Sequence, residues 1–371
     1  MHNIKRPPVI ATGLTFDEAS RRSREGVLAN TTDRGIEIWD ATAPITAKNY
    51  PEMFEAIARG DEEYPPFVPG GVEVINPAHP VFSEFQPFAG VVEAGFATDF
   101  VGTAIDGRFA LGFHFAERTF VTMPSPYLDY EFFEWLTTCE SVKAAKNSYT
   151  MIELGAGYGR WAARAMMAAR QRNISNSYAI LVEAEPVHAG WARDHMTLNG
   201  FKDFRVVEAA IGASQGTASF IVNRTNSPGY DPRSWYGQTF DWGDPASHRD
   251  TECTHAGHPL KDNGGGWGVI DVDVITLESI LEPHSIIDLI DMDIQGAEGD
   301  VIETSRDILS AKVRRIHVGT HGREIEARIR SVMTSMGWVK AWDFPGEREN
   351  ATPYGTILFD DGVQDWVNPL L

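Results

Sequence analysis

The sequence predicts an α/β fold: a mostly parallel sheet ending in a C-terminal antiparallel hairpin, preceded by an N-terminal accessory α+β region. Three observations carry that expectation. From Tyr149 onward, short apolar runs alternate with stretches of helical spacing, the pattern of right-handed crossovers onto a parallel sheet. A glycine-rich turn, Gly155-Ala-Gly-Tyr-Gly159, stands between the first such strand and the first such helix. At the tail, Trp338–Phe344 and Gly355–Phe359 read as two strands joined only by a loop, a connection that suits an antiparallel pair at a sheet edge.

Taken in order, residues 1–147 read as the accessory region. Phe16–Ala29 has helical spacing, with Thr15 placed as an N-cap and Glu18 three residues later. Pro51–Arg59 predicts a short helix with proline in its first turn, and a Pro, Gly and aromatic cluster follows at Tyr64–Gly71. The runs Gly90-Val-Val-Glu-Ala94 and Phe109-Ala-Leu-Gly-Phe-His-Phe115 are β-prone, and Asp129–Lys146 returns to helical spacing. Residues 148–371 form the second unit. Its expected strands are Tyr149–Leu154, Tyr178–Glu183, Phe204–Ala209, Ile286–Asp291 and Arg314–Val318. Its helices are Arg160–Arg172, Pro186–Asn199 and Gly299–Leu309. A segment from Asn223 to Asp271 is long for a loop inside a compact domain, which points to a substrate lid or a packed insertion.

Composition narrows the function. Apolar residues at 43% and charged ones at 23% describe an ordinary globular chain. A net charge of −20 argues against nucleic acid as substrate, because phosphate binding needs a basic surface. Two cysteines, Cys139 and Cys253, make neither a disulfide framework nor a zinc site, so a cytoplasmic protein with reduced thiols is expected. No run of ~20 apolar residues predicts a membrane span, and the N-terminus lacks the apolar run of a signal peptide. Association of like chains stays open.

The strongest chemical signal is Glu153-Leu-Gly-Ala-Gly-Tyr-Gly-Arg160. Glycines here let the backbone turn tightly against a ligand, and the helix that follows presents free amides. The Gly-x-Gly-x-Gly spacing and the preceding acid favour S-adenosyl-L-methionine over a dinucleotide, with Glu153, Gly155, Ala156, Gly157 and Gly159 in the cofactor loop. At the end of the second strand, Glu183 and Glu185 compete to accept the ribose hydroxyls, and period-two alternation points both the same way. Glu208 and Ala209 end the third strand on the same cofactor edge. The fourth strand closes with Asp291-Met-Asp293, where charge inside an apolar strand calls for pairing or function, although Asp293 or Gln295 could equally cap the next helix. Within the insertion, Trp235, Tyr236 and Trp242 could stack on a sugar-like acceptor. His255 and His258 with Asp250 and Glu252 match no metal motif, so no metal is expected there.

Together Glu153–Gly159, the Glu185-Pro186 step, Ala209–Gly216 and Met292-Asp-Ile-Gln-Gly-Ala-Glu298 resemble the FkbM family of methyltransferases, over roughly Tyr149 to Asp360. The resemblance implies a Rossmann-like methyltransferase sheet and an S-adenosylmethionine-dependent O-methyltransferase acting on a sugar or other small hydroxylated acceptor. It implies Glu185 as the ribose acid, Asp293 beside the methionine end of the cofactor, and His321 as the family's histidine. Gln295 stands where the family carries an acid, and Gly319 and Thr320 stand where an acid often precedes that histidine. His321 and Asp293 are then the candidates to take the acceptor's proton. A variant of the same chemistry holds a divalent ion on Asp291 and Asp293. Two rivals are a non-catalytic cofactor-binding partner of the same fold and a nucleotide-sugar dehydrogenase or epimerase, the latter disfavoured by the glycine spacing.

Overall fold

The computed structural model describes residues 9–14, 28–32, 35–39, 79–109, 114–224, 238–265 and 267–371. Its centre is a seven-stranded sheet. In chain order the elements are α1 (Phe132–Ala144), β1 (Ser148–Leu154), α2 (Arg160–Gln171), β2 (Asn176–Glu183), α3 (Pro186–Leu198) and β3 (Phe204–Glu208). After an inserted sheet come β4 (Leu289–Met292), α4 (Glu298–Thr304), α5 (Arg306–Lys312) and β5 (Arg315–Thr320). The chain then finishes with α6 (Arg323–Ser335), β6 (Val339–Phe344) and β7 (Gly362–Val367). The strand order is β3-β2-β1-β4-β5-β7-β6. The first five strands pair in parallel, and β7 runs antiparallel between β5 and β6. This is the Rossmann-like α/β sheet with a reversed strand at its end. The order changes direction at β1, so the carboxyl ends of β1 and β4 border the crevice where such sheets take ligands.

Period-two alternation sorts the strands onto two cores. Tyr149, Met151, Leu181 and Leu289 pack with α1 and α2, whereas Ile152, Leu154, Ile180, Val182, Ile290, Met292, Ile316 and Val318 pack with the helices of the opposite layer. That alternation has a consequence for chemistry. Glu153, Glu183, Asp291 and His317 occupy the positions that face α1, and all four are at most 6% exposed.

Several expectations need correction. The terminal hairpin partner of β6 is β7, while Gly355–Phe359 pairs with Arg348–Thr352 in a separate two-stranded ribbon. β7 hides from hydropathy because Gln364 and Asp365 are fully buried inside it: Gln364 bonds the Glu326 carbonyl and Trp366, and one oxygen of Asp365 bonds Arg315. The helix expected over Gly299–Leu309 breaks at Ser305 into α4 and α5. Leu28 and Ala29, expected at a helix end, begin a strand in a small antiparallel sheet of 9–14, 28–32 and 35–39. The rest of that helix, Pro51–Arg59 and Tyr64–Gly71 lie outside the described residues. Phe109 lies in a turn, buried against Tyr158, and 110–113 lie outside the described residues. In the long insertion, Gly216–Arg224, Arg249–His255, His258–Asp262 and Trp267–Ile275 form a second, largely antiparallel sheet in place of a loop.

Candidate active site

The glycine turn is set by close contacts. Gly155 has φ +76°, and a Cβ there would lie 1.8 Å from the backbone carbonyl oxygen of Asp293. Gly159, also at φ +76°, presses on Leu181, which leaves α2 with no side chain at its own N-cap. Glu153 fills that role from the preceding strand: its carboxylate accepts the amides of Trp161 (3.0 Å) and Ala162 (2.8 Å). Burial pushes the Glu153 carboxyl up to about 7, even though these two amides favour its charge.

The two glutamates after β2 separate cleanly. Glu183 accepts the Gly157 amide at 2.6 Å and the Glu185 amide at 2.8 Å, and burial raises it to about 8. It lines the cavity described below. Glu185 is the N-cap of α3, accepting the His188 amide at 2.7 Å, and its other oxygen pairs with His255. Of the two glutamates expected to compete for the ribose, Glu185 lies beneath α3 with both carboxylate oxygens engaged, and Glu183 is the one that lines the cavity.

At the carboxyl end of β4 two clusters form. Asp291 sits opposite Glu153 on β1 and His317 on β5, and it hydrogen-bonds Glu134 of α1. Burial and the neighbouring Glu153 and Asp293 hold Asp291 well above the ordinary carboxylate range. Burial drives the pKa of His317 down to about 3, so its imidazole is neutral. Asp293 belongs to a second cluster. The Gln295 amide donates to it at 2.7 Å, and His321 Nε2 lies 3.4 Å away. His321 Nδ1 is 2.7 Å from the buried Glu298, which also accepts the Gly296 amide at the start of α4. Burial opposes the charge on His321, but Glu298, Asp293 and Asp361 outweigh it and raise its pKa to about 9. His321, expected as a candidate to take the acceptor's proton, is thus enclosed by carboxylates that favour its charged form. Asp291 and Asp293 fall in different clusters, so one ion shared by that pair is not supported.

These groups surround a cavity of about 340 Å³. Its walls include the turn Gly155–Tyr158, Glu183, Ala209, Asp291, Asp293, and Asp360–Val363 at the entry to β7. The inserted sheet reaches it too, through Phe220, Gln238 and Phe240, and Thr239 donates to the Gln295 carbonyl at 2.8 Å. Its charged lining is mostly acidic, and Arg160 among it is paired with Glu131.

The Methyltransferase FkbM domain model matches residues 153–338, half of the chain. The chain belongs to the FkbM methyltransferase family. A protein of Jannaschia sp. (strain CCS1) described as a methyltransferase is 28% identical over 230 residues, covering 61% of this chain and 75% of its own. Among solved structures, methyltransferase FkbM from Methylobacillus flagellatus KT is 10% identical with a TM-score of 0.35, over 60% of this chain and 45% of that one. M. capricolum TrmK, solved with S-adenosyl-homocysteine, is 8% identical with a TM-score of 0.31, over 62% of this chain and 67% of its own. The match thus spans less than half of the Methylobacillus chain.

Within this FkbM methyltransferase the remaining expected site residues scatter. Glu208 is exposed and pairs loosely with Arg193 and His258, so it does not line the cavity, while Ala209 does. Trp242 is 69% exposed and packs edge-on against Phe240 outside the walls. Trp235 and Tyr236 lie outside the described residues. Sequence reading missed Glu134, His317, Asp360 and Asp361. A histidine between Ile316 and Val318, on a strand buried on both faces, was the available signal for His317.

Proposed function

We propose that this methyltransferase uses S-adenosylmethionine to methylate a hydroxyl of a sugar or other small molecule, with residues 148–371 as the catalytic domain and 1–147 as an accessory region. The observation that carries the reading is convergence: the glycine turn, Glu183 and Asp293 face one cavity at the switch point of the sheet. The donor set suits the cofactor, because an acidic lining complements a ligand with sulfonium and ammonium charges. When bound, S-adenosylmethionine supplies an electrophilic methyl group on sulfur.

The chain's residues have distinct tasks in this scheme. Glu153 fixes the start of α2 and with it the turn. Glu183 can exchange its two backbone partners for ribose hydroxyls. Asp293 is the group placed to take the acceptor's proton as the new oxygen–carbon bond forms, and burial raises its pKa toward the useful range. His321 positions Asp293 and supports its charge. The inserted sheet, with Gln238 and Phe240 beside it, supplies an acceptor wall. Among the described residues no helix is long and apolar enough to cross a membrane, and Cys139 and Cys253 are free thiols, which supports a cytoplasmic setting.

Incubation of the protein with methyl-labelled S-adenosylmethionine and a panel of hydroxylated sugars and small alcohols tests the reading. Label appearing as a methyl ether in an acceptor is expected. Cofactor binding without label in any acceptor would favour the non-catalytic partner instead.

A further inference from the structure

Glu134, Asp291 and His317 reach one point from three elements, α1, β4 and β5. Each offers a donor atom, and these atoms all lie within 4.8 Å of one another. His317 is 4% exposed, and its Nδ1 has no hydrogen-bond partner although it is fully enclosed. A buried imidazole nitrogen without a protein partner is costly unless something else uses it. All three residues also line the cavity, which gives an ion a way in and leaves coordination positions open on the cavity side. Donors around a divalent transition metal sit about 2.0–2.2 Å from it and so at most about 4.4 Å from one another, a spacing that donor atoms already within 4.8 Å can reach with small side-chain shifts.

We propose that Glu134, Asp291 and His317 bind a divalent transition-metal ion on the floor of the cavity. Two carboxylates and one imidazole suit Mn²⁺ or Zn²⁺, whereas Ca²⁺ demands six to eight oxygens and soft ions demand sulfur. The ion replaces the hydrogen bond between Glu134 and Asp291 and gives His317 a partner. Its further use, holding and acidifying an acceptor hydroxyl, rests on the methyltransferase reading; the binding itself does not.

Titration of the protein with Mn²⁺, followed by loss of the free-ion electron paramagnetic resonance signal, tests the site. One Mn²⁺ per chain, displaced by Zn²⁺, is expected. His317→Ala and Glu134→Gln should each weaken it at least tenfold, Glu134→Gln while keeping a hydrogen bond to Asp291. Cooperative thermal unfolding of each variant reports its folding, and S-adenosyl-homocysteine binding to the wild-type protein tests the cofactor reading separately. An unchanged Mn²⁺ signal with the wild-type protein would overturn the proposal and leave a carboxyl pair sharing a proton. Wild-type Mn²⁺ affinity in either variant would overturn it as well.

Discussion

Glu183 and Glu185 are two residues apart and do different work, which period-two alternation could not foresee because the strand ends between them. Glu183→Ala should weaken S-adenosyl-homocysteine binding by about 1–3 kcal/mol at a pH above 8, where Glu183 is ionised, through lost hydrogen bonds to a charged acceptor. Glu185→Ala should mainly lower stability, by about 0.5–2 kcal/mol for a lost N-cap. Calorimetry and denaturant unfolding on both variants check the split, and a larger affinity loss in Glu185→Ala would reverse it. Acid–base behaviour follows from the same burial. Glu153 and Glu183 are raised to about 7 and about 8, and His321 to about 9. Groups raised in the folded state lend stability at low pH and lose it as pH climbs through those values. His195 and His317 are lowered to about 4 and about 3, so their effect is lost only as pH falls below the ordinary histidine value. Between pH 6.5 and 8 the melting temperature should therefore fall, and Glu183→Gln should fall less steeply, by at most about 1.4 kcal/mol per pH unit for one proton. Equal slopes would show that Glu183 is not raised. Asp293→Asn should lower turnover by ~10²–10⁴ with little change in cofactor affinity. His321→Ala should cost less and move the acidic limb of the pH–rate profile upward, since its charge lowers the pKa of Asp293.

At the level of elements, the parallel strands and their crossover helices were legible because both faces of the sheet are buried and the strands read as apolar runs. β7 was not, because it buries Gln364 and Asp365, whose partners Glu326 and Arg315 are distant in sequence, and no local pattern announces such a strand. The inserted sheet was unreadable for a related reason: Arg249–Thr254 is exposed along its length and carries no hydrophobic alternation. The glycine turn was legible as a ligand loop, yet its tightest constraint is internal. Gly155 lies against the Asp293 carbonyl, so the turn and the end of β4 are fixed to each other. Gly155→Ala should force β1 and β4 apart, at a cost of about 1–3 kcal/mol in unfolding free energy, and should weaken cofactor binding as well. Wild-type stability in that variant would mean that the two strand ends move freely.

For the whole molecule, the described residues that precede β1 are anchored to α2 through Arg164. Its guanidinium bonds Asp99 at 3.2 Å and Glu131 at 2.9 Å, and it stacks on Trp135 and Trp161. Glu131 also holds Arg160 beside the cavity, so the residues preceding the sheet help to shape the site. With a net charge of −20, the chain should show no retention by RNA or DNA at ~150 mM salt, measured by filter binding. The account as a whole depends on the cavity at the switch point being the cofactor site. Isothermal calorimetry with S-adenosyl-homocysteine tests this most directly, on the wild-type protein and on Gly157→Val, whose β-branched side chain would occupy the turn at φ +53°. One ligand per wild-type chain, no heat with NAD, and binding abolished in a Gly157→Val variant that still unfolds cooperatively are expected; near-normal affinity in that variant, or no binding to the wild type, would contradict the assignment of this cavity.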